Sequence, residues 1–145
     1  MSASAVINTL QQIATKEVDN AAERLCSINK ALADELSKLD MLQNYRNDYV
    51  DKLALKLTTG LDMQAHQNFQ RFMLMLDEAM TRQEEVISTV QVQVKLSQAM
   101  WQESQKKKLS YDVLGERSEK KMQLIESRKD QKLMDEFAMR SRKNN

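Results

Sequence analysis

In 145 residues the chain has no proline and only two glycines, Gly60 and Gly115. Proline breaks helices and glycine weakens them, so long stretches here have nothing to stop a helix once it starts. Ala, Leu, Met, Gln, Lys and Glu, all strong helix formers, dominate the composition, while aromatic residues make up only 5%. The expected fold class is all-α, built from very long helices. Two long helices bury little surface per residue, so no thick globular core is expected.

The best turn is Leu57-Thr58-Thr59-Gly60-Leu61-Asp62. Gly60 takes the left-handed conformation that ends a helix, and Asp62 is a natural N-cap for the next one. Upstream, Ser2 or Ser4 caps a helix whose apolar residues include Leu10, Ile13, Leu25, Ile28, Leu32, Leu36, Leu39, Val50, Leu53 and Leu57. The stripe departs from a strict heptad, which weakens supercoiling. Downstream, Phe72, Leu76, Ala79, Val86, Val90, Val94 and Trp101 form a matching stripe. Two stripes joined by a short turn predict a long antiparallel two-helix coiled-coil hairpin, a single domain over 1–145. The helices are expected at about 4–57 and 64–142, with the turn at about 58–63. Residue i then faces roughly residue 122 − i, and the second helix overhangs the first from about residue 117. Gly115 stands at that boundary, either as a weak point or as a tolerated interruption. The overhang carries Met122, Leu124, Ile125, Leu133, Met134, Phe137 and Met139 with no partner in the same chain. Apolar side chains on a lone helix suggest a partner or a frayed end.

Catalytic chemistry has little to stand on. His66 is the only histidine and Cys26 the only cysteine, so neither a metal set nor a Cys–His pair is spelled out. His66 is expected as a solvent-exposed turn residue. Asp34-Glu35, Glu84-Glu85 and Asp135-Glu136 are sequence neighbours, and neighbours on a helix point about 100° apart, which keeps them from sharing a catalytic site. No phosphate-binding glycine loop is present. The chain is read as a non-enzyme without cofactor or metal.

Formal net charge is +1, a poor basis for nucleic-acid binding. The charge is uneven: residues 101–145 hold 12 Lys/Arg and 8 Asp/Glu, whereas residues 1–57 hold 7 and 8. Acids interleave with the Lys106–Lys108 run, and only Trp101 and Tyr111 lie near it for stacking, so no nucleic-acid partner is expected. A lone cysteine, no 18-residue apolar run and no secretory signal together suggest a cytoplasmic protein. Ten methionines, three of them within RFMLMLDEAM, suit either adaptable contact surfaces or core filling.

The stretch LQNYRNDYV, residues 42–50, holds two of the three tyrosines. On a wheel of 100° steps with Leu39 at the origin, Val50, Leu53 and Leu57 form the seam. Leu42, Tyr45 and Tyr49 lie about a quarter turn or more away, and Arg46 sits near the seam without an evident role. The register rule sets Leu42, Tyr45 and Tyr49 level with Phe72, Leu76 and Ala79. These six are expected to form an exposed, aromatic-rich partner surface. The alternative is that the tyrosines shield the seam with their hydroxyls in water.

Several segments together resemble the flagellar export FliJ family of enterobacterial type, over nearly the whole chain. They are Lys16-Glu17-Val18-Asp19 with Ala21-Ala22, the Met41-Leu42, Tyr45, Asn47, Tyr49 pattern, Trp101, and the Asp130-Gln131-Lys132 and Met134-Asp135-Glu136-Phe137-Ala138 signature. The resemblance implies a coiled coil similar to the stalk (gamma) subunit of rotary ATPases, acting in flagellum biogenesis and motility. It implies a soluble type III export component at the inner-membrane export apparatus, mainly monomeric alone. The implied partners are the hexameric export ATPase, the cytosolic domain of the large export-gate protein, and export chaperones. Leu42, Tyr45, Tyr49, Phe72, Leu76 and Ala79 match positions implicated in gate binding. Met122, Ile125, Leu133, Met134 and Phe137 are assigned to the ATPase ring or chaperones. Lys38 and Gln83 depart from the family's usual Gln and His. The counterpart stalk of a virulence secretion system, or a generic coiled-coil scaffold, is the alternative reading.

Overall fold

The computed structural model describes residues 2–60 and 62–144. Leu61, in the middle of the expected turn, lies outside the described residues, as do Met1 and Asn145. Two α-helices account for nearly all of the chain: α1 spans Ala3–Thr59 and α2 spans Met63–Lys143. Local chemistry fixes their ends. Ser2 Oγ accepts from the Ala5 amide at 3.3 Å and caps α1. The Thr58 and Thr59 hydroxyls donate to the carbonyls of Leu55 and Lys56, taking up acceptors that the helix end leaves free. Gly60 follows with φ of 95°, a conformation that residues with a Cβ adopt at a cost. Asp62 Oδ1 then accepts from the Ala65 amide at 2.7 Å and starts α2. Arg140, Arg142 and Lys143 sit in its last turn, where cations offset the negative end of the helix dipole.

The chain divides into two compact units, Ala22–Met100 and Met1–Ala21 with Trp101–Asn145. Within each, α1 and α2 run antiparallel as a hairpin pair. In the first, Arg46 meets Asp77 and Tyr49 meets Phe72. In the second, Gln11 meets Tyr111. Each of these pairs falls within one residue of the 122 − i expectation.

The buried seam differs from the 100° wheel. On α1 of Ala22–Met100, Leu25, Ile28, Leu32, Glu35, Leu39, Leu42, Arg46, Tyr49 and Leu53 are covered in an unbroken alternation of three and four, with Ala31 half-buried beside them. On α2 the same alternation runs through Phe69, Met73, Leu76, Met80, Gln83, Ile87, Val90, Val94 and Ser97, with Ala65, His66, Phe72 and Ala79 also half-buried. In the other unit the same alternation runs through Ile7, Gln11, Ala14, Val18 and Ala21, and through Trp101, Ser104, Lys108, Tyr111, Gly115 and Ser118. This is a strict heptad, contrary to the departures read from the apolar residues alone. Val50, at 43% exposure, and Leu57, at 60%, lie off the seam, whereas Leu42 and Tyr49 lie on it. The cause is geometric. A seam that repeats every seven residues advances 3.5 residues per turn, and a 100° wheel drifts about 20° per heptad against it. Polar residues in seam slots, Gln11, Glu35 and Arg46, also hid the repeat. The innermost side chains are Leu76, Ile87 and Val94 in the first unit and Ala14 in the second. Burial of each large apolar side chain contributes about 1.5–3 kcal/mol.

From Glu119 to Asn144 every residue is exposed.

Candidate interaction surfaces

The six residues expected as one exposed patch fall into two sets. Leu76 is only 7% exposed and belongs to the core, so it is not surface. Leu42 and Tyr49 are half-buried seam residues. The Tyr49 ring stacks on Phe72 with centroids 4.0 Å apart and tilts against Phe69 at 5.1 Å. Such contacts stabilise the pair beyond their buried area. Tyr45 is the open member, with 52% of its surface exposed, and Phe72 and Ala79 are half-buried beside the seam. The structure therefore brings all six to one stretch of hairpin, as a covered layer of Leu42, Tyr49 and Leu76 next to an outward one of Tyr45, Phe72 and Ala79. The wheel separated Tyr45 from the seam correctly. It misplaced Tyr49, four residues on, because the heptad puts position 49 inside and position 45 one step outside.

Arg46 acquires a role. Its Nε–H donates to Asp77 Oδ1 at 2.9 Å, tying α1 to α2 across the seam. Both side chains remain about half exposed, which keeps the contribution within about 1 kcal/mol. The Gln83 amide likewise donates to the carboxylate and the backbone carbonyl of Glu35. Lys38 Nζ donates to the same carboxylate at 3.2 Å. The Gln83 hydrogen bond, and after it the Lys38 contact, hold the Glu35 carboxyl below its ordinary pKa, against a smaller desolvation effect. Sequence reasoning missed both cross-pairs. Counting sevens through polar residues as well as apolar ones would have found their positions.

His66 is half-buried rather than solvent-exposed; it lines a groove with Leu53, Phe69, Met73 and Leu74 near the turn. Gly115 does not end α2, which runs through it without a break. A Cβ there would collide with the Gln11 amide tip, which donates to the Tyr111 carbonyl at 3.3 Å. The glycine thus makes room for a side-chain bond between the helices. Met122, Ile125, Leu133, Met134 and Phe137 are all exposed on α2, Phe137 at 75%. In the same stretch Gln131 Nε2 donates to Asp135 one turn on. Among the described residues no group of three or more His, Cys, Asp or Glu is placed to hold a metal ion. No helix among them is long and apolar enough to cross a membrane.

The family described as "Flagellar FliJ protein" matches residues 4–145. The "Flagellar FliJ protein" of Escherichia coli (strain K12) is 30% identical over 141 residues, which is 97% of this chain and 96% of that protein. The protein of the same description from Salmonella typhi is also 30% identical, with the same coverage.

Proposed function

From the premise that this chain belongs to the flagellar FliJ protein family, we propose that it is a non-enzymatic component of flagellar protein export, coupling an export ATPase ring to the membrane export gate and escorting export chaperones. The observation that carries the reading is the family match along almost the whole length, which includes both candidate surfaces. The chemistry is compatible with it. The outward Tyr45, Phe72 and Ala79 supply aromatic and small apolar area of the kind that anchors partners. The α2 stretch beyond Ser118 presents Met122, Ile125, Leu133, Met134 and Phe137 without cover from α1, and Met and Phe on a helix suit a groove in a second protein. Under this reading the chain works in the cytoplasm, at the periphery of the inner-membrane export apparatus. The test is a pull-down from purified components, with the full chain as bait and the export ATPase and the gate protein's cytosolic domain as prey. Retention of both is expected. Retention of neither at micromolar concentration sinks the proposal.

A further inference from the structure

The heptad seam of Ala22–Met100 defines two flanks, and their chemistry differs. In an antiparallel helix pair the rows bordering the seam on one side face each other, and so do those on the other. One flank carries Arg24, Ala31, Lys38, Tyr45 and Lys52 from α1, facing Ala65, Phe72, Ala79, Val86, Gln93 and Met100 from α2. The other carries Ala22, Asn29, Leu36, Gln43, Val50 and Leu57, facing Met63, Gln70, Asp77, Glu84, Gln91 and Gln98. The first flank has three cations and no acid. The second has two acids and no cation, and its apolar side chains, Leu36, Val50, Leu57 and Met63 among them, include no aromatic ring. The apolar surface of the first is exposed at Tyr45, at Val86 (42%) and at Met41 and Met75 in the adjoining rows. Those adjoining rows add Arg82 and also Asp34 and Asp48, leaving this side positive by two. Lys52 Nζ stands 5.8 Å from the Tyr49 ring centre and borders the aromatic surface, whereas Lys38 on the same row reaches to Glu35.

We propose that this aromatic flank is a docking groove for an amphipathic segment whose apolar residues are bordered by carboxylates, with Tyr45, Phe72, Ala79 and Val86 as its floor and Arg24, Lys38 and Lys52 as its cationic edge. Charge complementarity selects that occupant. An acidic segment gains from three cations on the aromatic flank and meets acids on the opposite one, whereas a basic segment meets the reverse. Leu42, Tyr49 and Leu76 are positioning residues that hold the floor from within the seam. The inference rests on the proposed function only for its natural partner, the gate domain, and it adds Val86 and the cationic edge to that surface.

The probes are a synthetic helical peptide with a leucine stripe bordered by glutamates, and its twin bordered by lysines, each titrated into the full-length chain. The glutamate peptide is expected to bind, more weakly as salt rises, and the lysine twin to bind at least about tenfold less. The Arg24→Gln/Lys38→Gln/Lys52→Gln variant should weaken binding about tenfold with an unchanged melting temperature. Val86→Asp should weaken it as much, and Glu84→Gln, on the opposite flank, should leave it unchanged. Equal binding of the two peptides, no binding of either, or an effect of Glu84→Gln matching that of the cation variant overturns the inference. The gate domain is titrated separately. If it fails to bind while the glutamate peptide binds, the proposed function loses its gate partner and the groove stands. If it binds independently of salt and of the three cations, the groove falls and the function stands.

Discussion

Residues 66–118 and 119–143 of α2 are equally helical, yet one stretch is packed and the other bare. The difference lies first in what α1 can cover: it begins at Ala3, which the 122 − i register sets opposite about residue 119. In the packed stretch the seam slots hold Leu76, Ile87, Val90 and Val94, and the polar Gln83 among them has a partner on α1 in Glu35. Beyond Ser118 the same count lands on Met122 and Ile125 and then on Lys129, Lys132 and Glu136. Met122 and Ile125 are already exposed, and the three charged slots after them offer no apolar seam. Helix formers alone sustain the backbone there, and the apolar residues, Leu133, Met134 and Phe137 among them, are left for contacts outside the chain. Helicity and burial are therefore separate properties of this sequence.

The sharpest way to break that comparison is to truncate one apolar side chain in each stretch. Leu76→Ala should cost about 2–4 kcal/mol in denaturant unfolding, through lost transfer energy and the cavity left behind. Phe137→Ala, although it removes a larger side chain, should change stability by less than about 0.5 kcal/mol. Similar costs for the two would mean that the bare stretch is packed after all. A smaller effect is expected at Gly115. In a Gln11→Ala background, Gly115→Ala should stabilise by about 1 kcal/mol, the ordinary helix advantage of alanine. In the wild-type background the gain should be smaller, because the Gln11 amide must move and give up its bond to Tyr111. Equal gains in both backgrounds would show that Gln11 does not occupy the space at Gly115.

The weakest effect concerns pH. The folded-state pKa of Glu35 is depressed, chiefly by Gln83. Its contribution is therefore fully present above the unfolded carboxylate value of about 4.3 and is lost as pH falls through the folded value. Unfolding titrations between about pH 5 and 3 should show a shallower loss of stability in Glu35→Gln and in Gln83→Ala than in the wild type. An unchanged slope in Gln83→Ala would assign the shift to Lys38 instead.

The hairpin itself was legible because its signals are local and strong: the near absence of Pro and Gly, the Thr-Thr-Gly-Leu-Asp turn and the two apolar stripes. Once the turn was placed, simple counting set Tyr49 against Phe72 and Gln11 against Tyr111. What the residues concealed was the phase of the seam. Glu35 and Arg46 occupy slots that a hydrophobic count skips, and each earns its place only through a partner on the other helix, which no local pattern shows. The error passed directly to the expected exposures, where Leu76 was counted as exposed and is buried. Tyr45 was placed off the seam, as it is, because one step outside the seam is outside by either count.

The central claim is that Tyr45 belongs to a contact surface and not to the hairpin's own packing. Titration of the gate protein's cytosolic domain into the full-length Tyr45→Ala variant, with a thermal melt followed by circular dichroism, tests it most directly. A melting temperature equal to that of the wild type with affinity reduced about tenfold is the predicted result. Unchanged affinity in the folded variant, or a lost fold, would contradict it.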